Sequence, residues 1–156
     1  MDIELGYDSW GSRLRTIGTA EITYRKWTGR PVTLGPWELV YEKMNTRLRR
    51  IGTTEITYTK WTSRPTHVGA WDLDFDKLGS RLRRIGPYTL DYDTLGSRVR
   101  TVGPLHIDYD KLGSRPHVVH LPGEGAGPGT LPDDLLIALF LVLYWRTEEQ
   151  ENARRR

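Results

Sequence analysis

The chain contains no cysteine. Disulfide staples and thiolate chemistry are therefore excluded. Phe and Met are scarce, two of each against six Trp and eight Tyr. The aromatic content thus carries polar tips, which suits surfaces buried on one side only. No apolar run reaches the length of about 20 residues that a bilayer-spanning helix needs. Leu135 to Trp145 comes nearest, with eleven residues. A GxGxxG turn, a Walker-type lysine, a GxSxG elbow and an HExxH pair are all missing, so no phosphate, nucleophile or zinc motif is present. Met1-Asp2-Ile3-Glu4 has no basic n-region and no apolar h-region. No Sec-type signal peptide is expected there, and a cytoplasmic location is.

What is present suffices for one domain with a real core, at 156 residues. Residues 1–120 hold 19 Lys/Arg and 14 Asp/Glu, and residues 121–156 hold 4 and 6. This mild basic excess permits contact with nucleic acid or an anionic surface without demanding it.

Residues 2–120 divide without insertion into seven units of 17 residues, starting at Asp2, Thr19, Pro36, Thr53, Ala70, Pro87 and Pro104. Unit position 12 is always Arg: Arg13, Arg30, Arg47, Arg64, Arg81, Arg98 and Arg115. Position 6 is always aromatic: Tyr7, Tyr24, Tyr41, Tyr58, Phe75, Tyr92 and Tyr109. Positions 2, 4 and 6 are mostly apolar and positions 3, 5 and 7 mostly polar, the period of a strand with one buried face. Asp-Lys-Leu-Gly then predicts a type I turn whose Gly supplies a left-handed residue in a bulged hairpin. A second strand follows, such as Arg81–Ile85. Gly86 with the next residue makes a two-residue turn into the following unit. These turns predict that position 6 pairs with 12, 4 with 14, and 16 with position 2 of the next unit. Positions 2, 4, 6, 12, 14 and 16 would then share the inner face. The product is an antiparallel meander of up to 14 strands of about five residues. Pro31, Pro65 and Pro116 fall inside second strands, so a bend, bulge or break is expected near the first two and an edge strand at the third. A parallel solenoid with 17-residue coils is disfavoured, because it would stack seven arginines about 4.8 Å apart.

Residues 121–130 read as a Gly/Pro linker. Thr130 with Asp133 reads as a helix N-cap, opening a helix over 131–150 with a basic tail at 151–156. Leu135–Trp145 is apolar on every side, so a helix there must be surrounded. At 1.5 Å per residue it is about 16 Å long, too short to span a bilayer but a match to the strands. The expected fold is therefore mostly β with one C-terminal helix: seven hairpins forming a barrel-like sheet curled around that buried helix.

Three candidate sites follow. The position-12 arginines and position-6 rings form a lattice, read first as cation–π scaffolding and second as a platform for single-stranded nucleic acid. Asp72, Asp74, Asp76, Asp91, Asp93, Asp108 and Asp110 should all face outward, where they could hold a divalent cation or simply solvate the surface. His117 and His120, three apart on one strand, should point to opposite faces, which is poor geometry for one metal.

Tyr92-Asp93-x-x-Gly96 recurs at Tyr7-Asp8-x-x-Gly11 and Tyr109-Asp110-x-x-Gly113, and as Phe75-Asp76-x-x-Gly79. It resembles the YDxxG core of Rhs-type YD repeats, which implies hairpin strips with a shell-like habit. A barrel around a C-terminal apolar helix is also similar in plan to tubby-like domains. Neither resemblance implies a site. Together these features predict a non-catalytic structural or interaction module with no cofactor and an unidentified protein partner. The alternative is a membrane-surface or nucleic-acid binder using the helix, the Arg-aromatic face and the basic tail.

Overall fold

The structure is a computed structural model describing residues 1–9, 13–26, 29–43, 47–62, 64–77, 81–94, 98–111, 115–123 and 127–154. Each unit contributes two strands. The first seven are β1 (Asp2–Tyr7), β2 (Leu14–Ile17), β3 (Ala20–Tyr24), β4 (Pro31–Leu34), β5 (Trp37–Tyr41), β6 (Leu48–Ile51) and β7 (Thr54–Tyr58). The others are β8 (Pro65–Val68), β9 (Trp71–Phe75), β10 (Leu82–Ile85), β11 (Tyr88–Tyr92), β12 (Val99–Val102), β13 (Leu105–Tyr109) and β14 (Pro116–His120). All pair antiparallel with their chain neighbours, and β1 pairs β14 to close a 14-stranded barrel. Pro116 therefore does not mark an edge: its strand is bonded on both sides, through Ile107↔Val119 and Ile3↔Val119. Closure satisfies the edge groups that an open meander would leave bare.

The hairpin register differs from the expectation. Position 4 pairs with 16, 5 with 15, and 6 with 13, as in Leu39↔Ile51, Val40↔Arg50 and Tyr41↔Leu48. The last step skips a residue, and the same bulge recurs in all seven hairpins. One extra residue reverses the phase of everything on its far side. Positions 2, 4, 6, 13 and 16 thus face inward, while positions 12 and 14 do not; Arg15, Arg49, Arg83 and Arg100 at position 14 are exposed. The prolines at position 13 sit at the bulge, where a missing ladder donor costs little. They do not create it, since Leu48 and Val99 occupy the same place. The pairing of 16 with the next position 2 is as expected, for example Ile85↔Tyr88. Gly86 opens that turn at φ 59°, where a Cβ would lie 2.4 Å from Trp71. The glycines of the opposite turns, Gly11, Gly79, Gly96 and Gly113, lie outside the described residues, as do 124–126 in the linker and 155–156 in the tail.

Helix α1 spans Asp133–Arg154. It starts after the expected cap: the Pro132 carbonyl accepts the first helical bond, from Leu136 N–H. Thr130 instead meets Thr19, Oγ1 to Oγ1 at 2.8 Å. Asp133 and Asp134 place negative charge in the first turn. Nine consecutive residues, Leu135–Leu143, are buried, so every face of this segment is covered. They share one core with inward residues from all fourteen strands, among them Ile3, Leu34, Leu73 and Val119. Tyr144 and Trp145 are only half-buried. They stand at the mouth of the barrel, and the helix continues beyond it to Arg154.

Candidate functional site

The end of the barrel from which the helix emerges carries a closed belt built by repetition. Each position-12 guanidinium lies over the aromatic ring of the next unit, not of its own hairpin. Arg13 covers Tyr24, Arg30 covers Tyr41, Arg47 covers Tyr58, and Arg64 covers Phe75, at 4.4–4.5 Å. Arg81 covers Tyr92 and Arg98 covers Tyr109, and Arg115 closes the circle over Tyr7. The bulge is the physical cause, because it sets position 12 opposite position 7, whose N–H donates to the position-12 carbonyl at the strand end, and so places the arginine on the rim. Each tyrosine hydroxyl donates to the position-13 carbonyl of the preceding unit. Tyr24 bonds Leu14, Tyr58 bonds Leu48, and Tyr7 bonds Pro116 across the seam, at 2.5–2.6 Å.

Position-7 acids hold the arginines from the other side. Arg47 meets Glu42 through two bonds, and Asp8, Asp76, Asp93 and Asp110 bond Arg13, Arg81, Arg98 and Arg115. The bond to Glu42 keeps the Arg47 guanidinium above its ordinary pKa, as Asp76 does for Arg81. Burial pushes the Tyr24 and Tyr58 phenols up to about 12, against the pull of the nearby arginines. Burial also raises Tyr7, Tyr41 and Tyr144. These phenols are neutral hydrogen-bond donors at neutral pH.

The emerging helix touches this belt on one side and leaves space on others. Tyr144 lies beside the Tyr41 hydroxyl, and Trp145 beside that of Tyr58. A groove of about 800 Å³ separates the helix from the rim near Arg47, Phe75, Arg81, Tyr92 and Trp145. A second, of about 520 Å³, opens near Tyr7, Tyr24, Arg30 and Arg115. Fourteen strands enclose more room than one helix fills, and the half-buried rings occupy only part of it.

Charge is sorted along the barrel axis. Positions 7–14, whose described residues lie at the helix-exit end, hold 17 Lys/Arg and 5 Asp/Glu over the seven units. Positions 1–6 and 15–17 hold 2 and 9. Lys26, Lys43, Lys60, Lys77 and Lys111 occupy position 8 and are all exposed. At the far end the acids include Glu4, Glu21, Glu38, Glu55 and Asp72, exposed at position 3. The protruding helix adds Glu148, Glu149 and Glu151 to the basic end, partly offset by Arg146 and Arg154. These lysines are not among the expected site residues. A tally of charge by unit position, rather than along the chain, is the signal that exposes them.

The acidic set faces outward as expected but is shared among cations. Asp72 meets His67 and Asp74 meets Arg84; Asp76 contacts Arg81 and Arg83; Asp93 contacts Arg98. Asp110 lies near Arg115 and His117, and Asp108 near His106 and His120. Asp91 is exposed and lines a shallow basic recess with Arg81, Arg83 and Arg100. Among the described residues no three His, Asp or Glu side chains gather as a metal would require. His117 and His120 share the outer face, a correction that follows from the same bulge. His120 bridges Asp108 and Asp2 at 2.6 Å each, across β13, β14 and β1, and both bonds hold its pKa above the usual histidine value. Among the described residues no helix is long and apolar enough to cross a membrane. Comparisons with family models, with curated proteins and with solved structures find no match.

Proposed function

We propose that the protein is a non-catalytic interaction module whose working surface is the basic, helix-exit end of the barrel, and that its partner is polyanionic. The observation that carries this reading is the axial charge sorting: 17 Lys/Arg against 5 Asp/Glu at one end, and 2 against 9 at the other. A field divided in this way orients the molecule as it approaches an anionic partner and speeds encounter. The belt supports the reading by rigidity. Each arginine is held over a ring, and Arg13, Arg47, Arg81, Arg98 and Arg115 also meet a carboxylate, so these charges are fixed in place before any partner arrives.

Heparin-affinity chromatography tests this. The wild-type chain is expected to be retained and to elute later than Lys60→Gln/Lys77→Gln/Lys111→Gln. Glu38→Gln/Glu55→Gln raises net charge at the other end and is expected to elute with wild type. Absence of retention at low salt, or a shift in the second variant as large as in the first, would refute the reading.

A further inference from the structure

We infer that the polyanion is an anionic lipid surface and that Trp61 is an interfacial anchor on the docking face; this rests on the basic end being the working surface. Trp61 is 86 % exposed, the exposed large hydrophobic side chain among the described residues. It stands between β7 and β8 at the helix-exit end, with the Lys60 ammonium 5.3 Å from its ring centroid. An indole beside an ammonium is the pairing that suits the headgroup region, with the ring at the polar–apolar boundary and the cation on phosphate. The five exposed position-8 lysines belong to loops at this same end, so their charges meet one plane together.

The sequence extends the pattern. Position 9, next to each position-8 residue, is Trp10, Trp27, Met44, Trp61, Leu78, Leu95 or Leu112. Trp61 is the member of this set that the structure describes. Among the described residues the belt rings are half-buried beneath arginines, so they offer no row of exposed faces on which successive bases could stack. An isolated exposed indole beside lysines therefore favours a bilayer over RNA. The staves of the barrel are unsuited to lipid, since outward positions carry Glu38, Asp74 and Arg83 where a membrane-spanning barrel needs an apolar band. Contact is confined to the end. Weak insertion of the Trp61 indole combined with basic residues is the two-signal arrangement that gives reversible surface binding.

Co-sedimentation of the full chain with phosphatidylcholine vesicles, with and without phosphatidylglycerol, tests the inference. Binding is expected only with the anionic lipid and should fall as salt rises. Trp61→Ala is expected to weaken vesicle binding on the order of tenfold while leaving heparin retention unchanged. Trp61→Phe should restore most of the loss. Heparin retention without vesicle binding, vesicle affinity unchanged in Trp61→Ala, or tighter binding to single-stranded RNA than to vesicles would each overturn the lipid assignment. Loss of both heparin and vesicle binding would instead remove the underlying reading of the basic end.

Discussion

Phe75 is the one ring in the belt without a hydroxyl. Its six counterparts each donate to a carbonyl ten residues back or across the seam, and by that pattern Phe75 faces the Pro65 carbonyl. Phe75→Tyr is therefore expected to stabilise the fold by about 0.5–1.5 kcal/mol, measured as a rise in the urea midpoint. A fall would show that this unit has no room for the seventh bond. The turn glycines allow a paired comparison. Gly18 and Gly35 have φ of 60° and 55°, so both resist a side chain. A Cβ on Gly18 would lie 2.0 Å from the Gly129 carbonyl oxygen, whereas on Gly35 it would meet only Ala20 at 3.9 Å. Gly35→Ala should cost about 1 kcal/mol from backbone strain alone. Gly18→Ala should cost clearly more, because it also pushes away the linker that Thr19 N–H holds through Gly129. Equal losses in chemical unfolding would count against that linker contact.

At the scale of elements, the helix is the part whose environment changes along its length. Leu135–Leu143 lies inside the barrel, and the segment after Arg146 projects past the rim. Amides of the first segment are expected to exchange with solvent only through global unfolding, and those beyond Arg146 within the fast regime of a solvated helix end. Hydrogen exchange read by mass spectrometry distinguishes the two. Rapid exchange throughout 135–143 would place the helix outside the barrel. The burial of this run was legible beforehand, because an apolar run with no polar face must be surrounded and its length matches the strands rather than a bilayer. Its starting residue was not. Thr130 and Asp133 have the spacing of a cap, but Thr130 is taken by Thr19, which only the closed barrel brings near.

For the whole molecule, closure links distant residues. The Asp108–His120–Asp2 bridge ties the last hairpin to the first strand. A histidine whose folded pKa is raised contributes stability that is fully present below its unfolded value of about 6.5 and is lost as pH rises through the folded value. The wild-type urea midpoint is thus expected to fall as pH rises above about 6.5, and His120→Gln should flatten that part of the profile. An identical slope in the variant would assign the dependence elsewhere. Strand number is the second global quantity. Deleting the unit Thr53–Gly69 keeps every hairpin in phase but removes two strands, narrowing the barrel by about one-seventh. The helix should then be expelled and its apolar run exposed, detected as dye binding and aggregation. A monomeric, dye-silent product would show that the lumen tolerates fewer strands.

The repeat, its strand period, the tight glycine turns and the need to surround Leu135–Trp145 were all determined by the sequence, because each is a local pattern or a simple matching of lengths. The face on which Arg13 and its six equivalents lie was not. Turn chemistry pointed to one register, while position 13, apolar in every unit as Leu, Val or Pro, already pointed to the bulged one; only pairing across the whole hairpin decides between them. Closure also had to come from tertiary structure. No residue near Pro116 or Tyr7 encodes that its partner lies 109 positions away, yet that bond completes the belt and turns seven separate arginines into one charged rim.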